Sequence, residues 1–136
     1  MRPEQKEEFK RNVGKLFGEL KKQLKLKSTP QLILVENPDN AQKPFGRTAH
    51  YEPDGRVIRL FITDRHPKDI LRSFSHEVIH HWQNENGKLT NTQTAQSTSG
   101  DPQYAQNDPV LRRMEQQAYL LGNMIFRDFE DRIKNE

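Results

Sequence analysis

The sequence contains no cysteine, which removes disulfide stapling and thiolate metal sites together. Any metal must then be held by histidines and carboxylates. Long apolar runs are missing too. No stretch approaches the ~20 apolar residues of a membrane-spanning helix, and the N-terminus opens on charged residues instead of a signal-type apolar segment. The expectation is a cytoplasmic protein with no membrane contact. Hydrophobic residues make up 32% of the chain and charged residues 30%, so the core should be small and the surface well solvated. At 136 residues with a formal net charge of +3, the chain is expected to form a single domain over residues 1–136.

Against this plain background one stretch stands out: Ser75-His76-Glu77-Val78-Ile79-His80-His81-Trp82. It contains HExxH, the helical form of a zinc-hydrolase centre. Helical geometry puts His76 and His80 about 40° apart and one turn above one another, so both rings can reach one ion. Glu77 lies at the edge of that face, where it can act on a water as general base. Leu71, Phe74, Ser75, Val78, Ile79 and Trp82 fall on the opposite side, which directs the apolar face to the core and the paired imidazoles to a cleft.

The flanking chain predicts an α+β fold. Phe9, Val13, Leu16, Phe17, Leu20 and Leu24 recur at helical steps, giving an amphipathic helix within residues 1–28 that ends at Ser28-Thr29-Pro30. Its last turns carry Lys21, Lys22, Lys25 and Lys27, either a solvated face or a contact for nucleic acid. Gln31 to Glu36 reads as a buried strand. Arg47 to Glu52 and Arg56 to Thr63 flank the turn Pro53-Asp54-Gly55 as an antiparallel hairpin. A small, mainly antiparallel sheet of about three strands is therefore expected before the His-Glu helix, which Pro67 opens. Residues 84–108 shift to Asn, Gln, Thr, Ser and Gly and cannot build a core, so a polar loop or lid is expected there. Asp108-Pro109 starts a long C-terminal helix with Leu111, Ala118, Gly122, Phe126 and Phe129 on one face.

Glu115 lies inside that apolar stripe, where an unpaired carboxylate would be expensive. A catalytic zinc needs three protein ligands and an open position, and Glu115 is the best candidate for the third beside His76 and His80. Its alternative is an ion pair with Arg112 or Arg113. His50 and His66 could also reach a cleft, whereas Glu85 follows the helix too closely and Asp101 lies in the polar loop. His81, turned about 100° from His80, is expected to be partly exposed.

His76-Glu77-Val78-Ile79-His80 with a downstream helix bearing Glu115-Gln116-Gln117-Ala118 resembles the gluzincin metallopeptidases, particularly the minimal SprT-like and IrrE-type zincin domains, over roughly residues 56 to 126. The resemblance implies a zincin-like fold and a metalloendopeptidase with one zinc ion acting on peptide or protein. It also implies that the strand before the motif, Val57 to Ile62, lies along the cleft and binds extended peptide by strand addition. Thermolysin-like members carry an Asp four residues after the ligand Glu, to orient a ligand histidine. Here that position is Tyr119, so the orienting contact must come from another group, the Tyr119 hydroxyl among them. The expected chemistry is water activation at zinc with Glu77 moving the proton. Tyr119, Tyr104, His81 and Arg112 are the candidates for stabilising the oxyanion. The competing reading is a zincin-fold module that binds nucleic acid or protein through its basic first helix.

Overall fold

The computed structural model describes residues 2–37, 48–87 and 109–134. Within them the chain forms three helices and a three-stranded mixed sheet, an α+β arrangement. Helix α1 (Pro3–Leu24) begins on Pro3, whose missing N–H costs nothing in a first turn. It buries Phe9, Val13, Leu16 and Leu20, the expected stripe. It ends at Lys25, whose left-handed φ of 55° lets its N–H return to the Lys21 carbonyl.

Strands β1 (Gln31–Val35), β2 (Ala49–Glu52) and β3 (Val57–Phe61) stand in the order β1-β3-β2. β1 runs parallel to β3 in register Gln31↔Val57, and β2 runs antiparallel to it with Ala49↔Leu60. This corrects two expectations. The sheet is half parallel rather than mainly antiparallel, and β3 is the central strand rather than an exposed edge. The physical reason lies in β3 itself: Val57, Ile58 and Leu60 are all buried, on alternate faces, and such a strand is best covered on both edges as well. Among the described residues, β1 and β2 are the edge strands of the sheet.

Helix α2 (Pro67–Glu85) is the element against which the others gather, with contacts to α1, to β2, to β3 and to the long helix α3 (Pro109–Lys134). His66 caps it, Nδ1 accepting from the Lys68 N–H at 3.1 Å. The Arg65 guanidinium donates to the carbonyls of Thr48, Phe61 and Asp69 and to Ser73 Oγ, pinning the hairpin to the start of α2. No helix among the described residues is long and apolar enough to cross a membrane. Tyr104, Asp101, the Asp108 cap and residues 88–108 of the expected polar loop lie outside the described residues.

The closest meeting of α2 and α3 is at Gly122. A Cβ there would sit 3.2 Å from His76 Cα and 3.3 Å from His76 N, and Ser75 Oγ donates to the Gly122 carbonyl at 2.8 Å. Because the obstructing atoms are backbone, they cannot swing aside. Gly122→Ala should therefore force the helices apart and lower stability by about 1–3 kcal/mol. Chemical denaturation checks this, and an unchanged midpoint would show that the crossing has slack.

Candidate metal centre

His76 and His80 sit one turn apart on α2 with ring centroids 4.9 Å apart and planes 79° to each other. Glu115 reaches them from α3. Its Oε1 lies 2.6 Å from His80 Nε2 and its Oε2 lies 3.4 Å from His76 Nε2. The three side chains offer ligand atoms all within 4.8 Å of one another, so this buried group could hold a metal ion. The alternative pairing of Glu115 with Arg112 or Arg113 is not what the chain adopts, since its partners are the two histidines.

His80 Nε2 and Glu115 Oε1 face each other as a buried ion-pair contact that lacks the geometry of a hydrogen bond, and one ion could reach both atoms. His76 Nδ1 and both Glu77 oxygens also lack a hydrogen bond. Among the described residues, five of the six buried side-chain atoms without a hydrogen bond belong to these four residues, and the sixth, Arg59 Nη1, has an ion pair with Glu52 instead. A metal ion is the kind of group that satisfies a donor set of two imidazoles and one carboxylate.

Electrostatics separates the two glutamates. Burial alone would raise Glu115, but pairing with His76 and His80 outweighs it and holds the carboxyl down to about 2. Glu77 has no such partner. Complete burial pushes it up to about 8, countered by His80 and reinforced by Glu115. One carboxyl is thus held ionised beside the two histidines, and the other is held well above the ordinary carboxyl range. His76 is lowered by burial. His80 is raised, because Glu115, Glu77 and Gln83 outweigh its burial.

The expected cleft is narrower than a helix face turned to solvent, because α3 lies over it. His80 and Glu77 have no exposure, and His76 and Glu115 keep 9% and 8%, so the way in is on the His76–Glu115 side. Tyr119 stands there, 59% exposed, its ring centroid 4.5 Å from that of His76. It meets His76 through its ring, and the orienting contact to His80 comes from elsewhere: Gln83 Oε1 lies 2.8 Å from His80 Nδ1.

His81 is fully buried rather than partly exposed. Its Nδ1 lies 2.8 Å from the Tyr51 hydroxyl, and its Nε2 lies 3.1 Å from Ser28 Oγ, 3.1 Å from Glu85 Oε1 and 3.2 Å from the Ser28 carbonyl. Asn84 Nδ2 donates to both the Pro53 carbonyl and the Tyr51 hydroxyl, so Tyr51 gives its own proton to His81 Nδ1, and Nε2–H faces the three oxygens. Burial pushes the phenol to about 12, which keeps that proton in place. Glu85 also accepts from the N–H groups of Lys27 and Ser28. This face of α2 therefore fastens the end of α1 and strand β2, and His81 is spent on that role, not on an oxyanion. His50 lies on β2, 3.7 Å from Glu52, and His66 is the helix cap. Neither is among the residues gathered at the centre.

A buried Glu77 predicts a pH signature in metal-stripped protein. In the unfolded chain the carboxyl ionises near 4.5, in the fold near 8, so its stabilising contribution is complete below the first value and fades as pH rises through the second. Glu77→Gln should remove this slope, leaving the variant more stable than wild type by a few kcal/mol at about pH 8 and nearly equal to it at about pH 4. Denaturant midpoints across that range check it, and parallel profiles would mean that Glu77 is solvated or paired.

No family model matches this chain, and comparison with curated proteins and with solved structures finds no match either.

Proposed function

We propose that the chain is a zinc-dependent metalloendopeptidase of the gluzincin type, with His76, His80 and Glu115 as ligands and Glu77 as general base. The observation that carries this reading is the convergence of three ligand side chains whose facing atoms approach to 2.6 Å without hydrogen bonding, beside a wholly buried, unpaired glutamate. Zinc held there supplies Lewis acidity toward water and toward a scissile carbonyl. Glu77 takes the proton released by the attacking water and hands it to the leaving amine, a shuttle suited to a carboxyl that titrates near neutrality. Tyr119, beside His76 and open to solvent, is the described residue best placed to contact substrate at the entrance. With β3 enclosed between two strands, an extended peptide would add to β2, which among the described residues is the edge strand packed against α2.

Glu77→Gln should retain one zinc per chain and lose at least about 100-fold in peptide hydrolysis. Glu115→Ala should weaken zinc binding by more than the roughly 10–100-fold that outer contacts of a metal site cost. Metal analysis beside a fluorogenic peptide assay measures both. Wild-type protein that binds no zinc, or an equally tight Glu115→Ala, removes the reading.

A second reading has its own observation: Lys21, Lys22, Lys25 and Lys27 are all exposed at the end of α1. They would dock the domain on nucleic acid, with proteolysis weak or absent. Reversing Lys21, Lys22 and Lys25 to Glu should then reduce duplex-DNA affinity and flatten its salt dependence. Unchanged binding ends that reading.

A further inference from the structure

We propose that Gln83 is the positioning residue of this centre: it holds His80 in the tautomer whose free nitrogen faces Glu115, and it ties that ring to the helix carrying Glu115. The inference rests on reading His76, His80 and Glu115 as metal ligands.

Gln83 is fully buried and follows His80 by three residues on α2, so the two side chains share a face. Its orientation is fixed by a neighbour that cannot flip. The Met114 carbonyl can only accept, and it lies 3.0 Å from Gln83 Nε2. Gln117 Oε1 takes the other amide hydrogen at 2.8 Å. Both hydrogens of the amide are thereby used, and turning it over would set its oxygen against the Met114 oxygen. The atom 2.8 Å from His80 Nδ1 is therefore Oε1, an acceptor, and Nδ1 must carry a hydrogen. In the neutral ring this leaves the lone pair on Nε2, the nitrogen 2.6 Å from Glu115 Oε1. A metal on Nε2 requires that tautomer, and the amide oxygen favours it whenever the ring is neutral.

The same amide also sets distance. Met114 and Gln117 stand one residue before and two residues after Glu115, so the two N–H donations grip α3 on either side of the third ligand while Oε1 grips the second. A side chain that merely filled the space would satisfy the packing and leave the ring free to choose its proton.

Gln83→Leu has similar volume, lacks the acceptor and both donors, and is the direct test. Gln83→Glu keeps an acceptor for Nδ1 and loses the donors. Ring-nitrogen NMR of His80 in chelator-treated protein, at a pH where the ring is neutral, reads the tautomer, and competition with a chromophoric chelator reads Zn(II) affinity. Wild type should show Nδ1–H. Gln83→Leu should lose that preference and bind Zn(II) about 10–100-fold more weakly, whereas Gln83→Glu should keep the Nδ1–H signal. Wild-type His80 in the Nε2–H form overturns the proposal whichever variants fold, and so does a folded Gln83→Leu with unchanged tautomer or unchanged affinity. If wild type binds no zinc, yet His80 is Nδ1–H and Gln83→Leu releases it, the metal reading fails while the role of Gln83 in holding the ring stands.

Discussion

Ser75 Oγ donates to the Gly122 carbonyl, and the hydrogen on Gly122 is all that separates α3 from the backbone of His76. Two helices can bring ligands to one point only if their axes lie close enough for short side chains to meet, and here the crossing is fixed by main chain against main chain. Glu115 lies seven residues before Gly122, two helical turns along the same stripe, so its carboxylate comes to lie against His76 and His80 as a consequence of that crossing. Ala118, fully buried between the two positions, keeps the gap free of bulk. The centre is therefore a property of helix packing, not of a loop.

Helix α2 carries an unusual load of buried polar groups, and its two sides treat them differently. On the side of His81 and Glu85 each group has a partner: Tyr51, Ser28, Asn84 and the N–H groups after α1 close the network. On the side of His76, Glu77 and His80, five atoms counting Glu115 opposite lack a hydrogen bond, although Glu115 faces both histidines as ion pairs. An unsatisfied buried polar group costs about 1–3 kcal/mol, so this is the side of the helix that a bound ion would stabilise.

The parts legible in the sequence were those set by local periodicity. Helix limits followed from Pro3, Pro67 and Pro109 and from apolar steps of three and four. His76, Glu77 and His80 followed from a five-residue pattern, and Glu115 from a carboxylate in an apolar stripe. What escaped depended on distant partners. His81 reads as a surface histidine until Tyr51 and Ser28, 30 and 53 residues away, close over it. The parallel pairing of β1 with β3 joins segments whose separation no local turn reveals. Gln83 did carry a local signal, since it follows a ligand histidine at helical spacing, on the same face. Tyr119, four residues after Glu115, meets His76 through a tilted ring contact, and the side chain that fixes His80 comes from its own helix instead.

Why an amide and not a carboxylate stands at position 83 follows from counting charge in a closed space. A dication held by this group would sum to zero with Glu115 and an ionised Glu77, so the proposed loaded centre would be buried without a net charge. A carboxylate at 83 would leave the whole negative, raise Glu77 further above its elevated value and set an acceptor against the Met114 carbonyl. The amide serves His80 as an acceptor and α3 as a donor while adding no charge. The cost is a His80 less basic than a carboxylate partner would make it.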